Sequence, residues 1–184
     1  MLRKFLQILS LLVLTVISNS IAQQTIQLYY EDFNTGAPAF TLNSSGIGSN
    51  SGPNQWIINN SYSGNGLYPD TPDETQTFSG TIAGAPYSNY LHINDANNTA
   101  TASNSNYDPV TASDRLAAMN TGFCTLSLTD VTFTFFYLAE GNSNDYGQLY
   151  YSLDGGASWI QTGQAQYNNT SQWKYEVVTD PAFN

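Results

Sequence analysis

Val131, Phe133, Phe135 and Tyr137 alternate with Thr132, Thr134, Phe136 and Leu138. A period of two in β-branched and aromatic residues predicts a strand. Apolar side chains occur at both parities, which predicts a central strand covered on both faces. A polar loop over 140–146 follows, then a second strand over 148–153 with Leu149, Tyr151 and Leu153 on one face. Asp154-Gly155-Gly156 then predicts a tight turn, because glycine adopts positive φ without steric cost.

The rest of the chain repeats this pattern in shorter pieces. Ile26, Leu28 and Tyr30 alternate in a candidate strand over 23–30, and a short strand over 55–58 contains Trp56. The stretch 90–94 puts Leu91 and Ile93 on one face, and His92 on the other. Leu126 and Leu128 alternate over 125–128, and Trp173, Tyr175 and Val177 over 173–178. Residues 112–119 suit one or two helical turns and equally an extended chain. Gly, Ser, Asn and Pro fill the intervening stretches 44–54, 61–74 and 95–108, which read as surface loops. Many short strands, long polar loops and little helical periodicity predict an all-β chain, an antiparallel β-sandwich of jelly-roll type. The ending Pro181-Ala182-Phe183-Asn184 brings no further turn or strand, so the expectation is a domain over 23–184 that lacks its closing strand and leaves a sheet edge open.

The first residues change the picture of where this happens. Arg3 and Lys4 precede an apolar run over 6–17, too short to prefer spanning a bilayer. Ser20 and Ala22 are small residues suited to a cleavage after Ala22. This predicts a secretory signal peptide over 1–22, no transmembrane segment after cleavage, and a secreted or cell-surface location.

Charge and cysteine then exclude partners and chemistry. The chain holds 4 Lys and Arg against 14 Asp and Glu, a formal net charge of −10. Arg3 and Lys4 leave with the leader, so Arg115 and Lys174 are the basic residues that remain. A surface this acidic repels phosphate backbones, so nucleic acid is not an expected partner. Cys124 is the one cysteine. It allows no intrachain disulfide and no thiolate zinc site, and reads as a small buried residue beside Phe123.

Ser152-Leu153-Asp154-Gly155-Gly156-Ala157-Ser158-Trp159 resembles the Asp-box, whose pattern is Ser-x-Asp-x-Gly-x-Thr-Trp, with Ser158 in the place of Thr. The chemistry is local: Asp154 accepts hydrogen bonds from turn amides, Gly156 supplies backbone freedom, and Trp159 covers the hairpin base. The motif recurs in sialidases and in unrelated β-proteins, where it folds a hairpin away from any catalytic centre. Ser152, Asp154, Gly156, Ser158 and Trp159 are therefore read as a structural turn.

The wider layout has its own resemblance. Tyr30-Glu31-Asp32-Phe33, Trp56, Tyr90-Leu91-His92-Ile93, VTFTFFYL, GQLYYSLDGGASW and Trp173-Lys174-Tyr175-Glu176-Val177 follow in that order. The series is similar to the MAM-like and cleaved-adhesin-like jelly-roll modules of secreted bacterial surface proteins. The resemblance implies a non-catalytic module for adhesion, glycan binding or protein contact. Two features depart from it: an Asp-rich loop before the early Trp and a final strand with a sorting tail are both missing.

Glu31, Asp32 and Asp95 follow strand ends and are the candidate calcium ligands, since hard loop oxygens suit that ion. His92, the single histidine, has no second histidine and no Gly-x-Ser-x-Gly elbow with it, and reads as structural. No pair of carboxylates is singled out for glycoside hydrolysis. Tyr62, Tyr68, Tyr87 and Tyr107 fall in loops, where tyrosine stacks on sugars, forms protein contacts or simply pins the loop. The expected function is a non-catalytic binding or adhesion module of an exported bacterial protein, with a glycan or protein ligand at the cell surface. The competing expectations are an accessory domain of a secreted glycan hydrolase or peptidase, and a structural spacer.

Overall fold

A computed structural model describes residues 24–34, 39–60, 72–74, 81–97 and 107–184. The expected signal peptide lies outside these residues. The chain divides into two units between Tyr30 and Glu31. Of the first, residues 24–30 carry no strand, although Ile26 and Leu28 alternate. Alternation alone does not make a ladder without a partner backbone.

The second unit is all-β, as expected. Its strands are β1 (Phe40–Ser44), β2 (Asn54–Asn59), β3 (Tyr90–Asp95), β4 (Leu116–Met119), β5 (Thr132–Ala139), β6 (Gly147–Tyr151), β7 (Ile160–Tyr167) and β8 (Thr170–Thr179). A 3-10 turn at Pro181–Phe183 follows, capped by Asp180. Among the described residues the strands form four antiparallel ribbons, β1–β4, β2–β3, β5–β8 and β6–β7. The arrangement is consistent with a β-sandwich that is not closed.

The ribbon β5–β8 organises the others. Phe133 pairs with Val178, Phe135 with Glu176 and Tyr137 with Lys174, so these share one face. Over that face lies β6–β7, with the Tyr167 ring 5.5 Å from Phe135 and 5.1 Å from Tyr137. Val178 and Tyr167 are buried there. Each buried side chain of this size contributes roughly 2–3 kcal/mol. Trp173, beside a bulge in β8, meets Tyr90 of β3 at 5.7 Å, and its Nε1 donates to the Pro72 carbonyl at 2.7 Å. The ribbon β1–β4 joins β2–β3 through Asn43, which bonds both the N–H and the carbonyl of Trp56. Arg115 donates to the carbonyls of Asn50, Gly52 and Asn54 and so ties the 50–54 loop to the start of β4.

Several expectations change. β5 reads as a central strand, but its ladder runs to β8 alone among the described residues. On its second parity Phe136 and Leu138 are half-buried, while Thr132 and Thr134 are exposed. Of residues 112–119, Leu116–Met119 take the extended alternative and form β4. Residues 125–128 are no strand: Leu128 N–H bonds the Thr125 carbonyl, Ser127 has φ 71° and Leu126 is 84 % exposed. A turn can imitate strand alternation over so few residues. Cys124 is exposed rather than buried. The strand after the polar loop stops at Tyr151, which leaves Leu153 exposed in the turn. β1 and β7 have no counterpart in the sequence expectations.

Candidate functional site

The Asp-box-like turn joins β6 to β7. Asp154 Oδ1 accepts from the Ser158 N–H at 2.8 Å and from Ser152 Oγ at 2.8 Å. Its Oδ2 accepts from Ser158 Oγ at 2.5 Å. Ser152 Oγ in turn accepts from the Gly156 N–H at 2.7 Å. Gly155 and Gly156 have φ of 70° and 92°, the left-handed region that glycine tolerates. The bond from Ser158 needs only a hydroxyl, so serine serves where the motif has threonine. Donors from Ser158 and then Ser152 hold the Asp154 carboxyl down at about 2. The carboxylate is exposed, yet its oxygens are occupied by the turn's own donors.

The three candidate calcium ligands are each engaged locally. Glu31 accepts from the N–H groups of Phe33 and Ala39, Asp32 from that of Asn34, and Asp95 from that of Asn97. Among the described residues no three His, Cys, Asp or Glu side chains gather in a group able to hold a metal. The structure therefore does not bring these carboxylates together.

His92 is buried, with Nε2 2.8 Å from Asn59 Oδ1 and Nδ1 3.2 Å from the Ile93 carbonyl. Tyr90 stacks beside it at 5.1 Å with no bulge in the β2–β3 register. Burial holds the imidazole down at about 4, so it is neutral at physiological pH. The inward face of β3 is Tyr90, His92 and Asn94, the more polar parity, while Leu91 and Ile93 are half-buried.

Glu74 is a buried group at the end of the 61–74 stretch, which the sequence reads as a surface loop. It is 1 % exposed, and its carboxylate accepts from the Ser88 N–H and hydroxyl, both at 3.2 Å. Burial pushes its carboxyl up, against the lowering effect of Ser88. Nothing in its local spacing signals this burial.

Among the loop tyrosines, Tyr62 and Tyr68 lie outside the described residues, and Tyr87 is exposed. Tyr107 is half-buried, and burial pushes its hydroxyl up, with Asp145 and Glu140 adding in the same direction.

The apolar surface left open lies on β5–β8. Phe136 pairs with Tyr175 at 5.0 Å between rings, and Thr134 pairs with Val177. Tyr175 is 39 % and Val177 54 % exposed. These residues occupy the face opposite Tyr137 and Val178, which β6–β7 covers. Comparison with family models, curated proteins and solved structures gave no match to this chain.

Proposed function

We propose that this chain is a non-catalytic binding or adhesion module of an exported bacterial protein, acting at the cell surface. The observation that carries this reading is the open apolar face of β5–β8. Tyr175 and Val177 are exposed there, with the half-buried Phe136 ring against Tyr175. Contiguous exposed apolar surface on a sheet is unfavourable in water and marks interaction sites. Aromatic side chains on strands supply contact area at low entropic cost. The neutral, hydrogen-bonded His92 and the self-contained Asp154 turn add support, since both are engaged in holding the fold.

The test is adhesion of beads coated with the chain to envelopes of the source cells. Tyr175→Asp places a charge on the apolar face without removing a buried group. It should lower adhesion by about tenfold, one strong apolar contact. Undiminished adhesion by a folded Tyr175→Asp variant would contradict the reading and favour a spacer.

A further inference from the structure

The ribbon β6–β7 reads GQLYY and IQTGQAQY and contains no charged residue, in a chain of net charge −10. Tyr150 pairs with Gln161, and Gln148 has the same parity as Tyr150, so the three share the outward face. Opposite Gln148 the register slips: Gly147 pairs with Tyr167 and Leu149 with Thr162, leaving 163–166 as a bulge. The bulge is pinned from within. Gly163 has φ 67°, a β-carbon on it would lie 2.3 Å from the Tyr167 hydroxyl, and that hydroxyl accepts from the Gln164 N–H at 3.2 Å.

This bulge presents the Ala165 carbonyl to the outward face. Gln148 Nε2 donates to it at 3.1 Å and Gln161 Nε2 at 2.9 Å. Tyr150 Oη donates to Gln148 Oε1 at 3.0 Å. Two glutamine amides that would otherwise rotate freely are thus fixed beside a partly exposed tyrosine ring, all on strands. Such fixing lowers the entropy lost when a ligand orders them. Gln161 Nε2 also donates to the Gln164 carbonyl at 3.5 Å, which leaves its amide oxygen to accept, while Gln148 keeps a second amide N–H to donate. Bulges of this kind re-aim side chains beside binding sites.

We propose that the outward face of β6–β7 is a platform for an uncharged polysaccharide, separate from the apolar face of β5–β8. The tyrosine ring stacks against the apolar side of a sugar ring, and the amides of Gln148 and Gln161 bond its hydroxyls. A ribbon without charge in an acidic chain favours a neutral glycan over an anionic one, which the remaining carboxylates repel.

Affinity electrophoresis of the chain in gels containing laminarin, mannan, hydroxyethyl cellulose or alginate tests this. At least one neutral polymer should retard the protein, and alginate should not. Tyr150→Ala and, independently, Gln161→Ala should each weaken that retardation about tenfold, the value of one stacking or bidentate contact. Gln161 is exposed, so its variant remains informative should Tyr150→Ala fold poorly. No retardation by any neutral polymer would overturn the proposal, whatever the bead adhesion shows. Retardation that survives Gln161→Ala but is lost in Tyr175→Asp would also overturn it, by moving the sugar to the apolar face and leaving the binding reading intact.

Discussion

Trp159 and Gly46 occupy complementary space: a β-carbon on Gly46 would lie 3.6 Å from the Trp159 indole nitrogen and 2.9 Å from Leu116 Cδ2. The Asp-box-like turn therefore does more than reverse the chain. Its final residue carries the β6–β7 hairpin onto the loop after β1 and the start of β4. Gly46→Ala should cost about 1–2 kcal/mol through overpacking, because the leucine tip has to move. A thermal melt decides it, and an unchanged melting temperature would contradict the contact.

The three tryptophans should respond differently to loss of the indole N–H. Trp56 Nε1 donates to the Arg115 carbonyl at 3.0 Å and Trp173 Nε1 to Pro72 at 2.7 Å. Trp159 Nε1 is buried with no hydrogen-bond partner among the described residues. Phenylalanine at 56 or 173 strands a carbonyl, at about 1–3 kcal/mol, whereas at 159 it removes an unsatisfied donor. Trp159→Phe should be the mildest of the three in denaturant titration. Equal destabilisation by Trp159→Phe and Trp56→Phe would count against this assignment.

Gly163 sets the bulge of β7. Gly163→Ala forces a side chain into positive φ and against Tyr167. It should cost more than about 1 kcal/mol. It should also loosen the bond from Gln164 N–H to Tyr167, which hydrogen exchange at Gln164 reports. Unaltered exchange at Gln164 in the variant would show that the bulge does not depend on this glycine.

Two buried groups give opposite pH dependence. His92 titrates at about 4 when folded and about 6.5 when unfolded. The unfolded chain thus binds the proton first, and stability is lost as pH falls from about 6.5 to about 4, by about 3 kcal/mol from this group. Glu74 is raised when folded. Its contribution is fully present below about pH 4.5 and is lost as pH rises through its folded value. Glu74→Gln should therefore melt no lower than the parent at pH 7, and its advantage should shrink towards pH 4. A large loss at pH 7 would show that the ionised carboxylate is the stabilising form.

Those same residues show what the sequence made readable. β2, β3, β5, β8 and the Asp154 turn follow from alternation and turn chemistry in contiguous residues. β7 is not legible because neither parity of IQTGQAQY is consistently apolar, and its place comes from Tyr167 reaching Phe135 and Tyr137. β1 is short and depends on a partner far along the chain, Phe40 opposite Met119. The inward face of β3 was legible as a parity but not as a choice. Tyr90 and His92 turn inward because Trp173 and Asn59 meet them there. Glu74 and the Gln148–Gln161 pair share that limit. Their setting is made by Ser88 and by the Ala165 carbonyl, neither of which any local spacing marks.

In the proposed function, the residues that hold this fold differ from those that would bind a partner. Measuring melting temperature and bead adhesion together on Asp154→Ala and Val177→Asp tests that separation most directly. Asp154→Ala removes the acceptor of three turn hydrogen bonds and should melt lower than the parent, with adhesion of the folded fraction unchanged. Val177→Asp, on an exposed position, should melt within a few degrees of the parent, as surface substitutions do, and lose most adhesion. The reverse pattern, with Asp154→Ala stable but non-adhesive and Val177→Asp fully adhesive, would contradict the account.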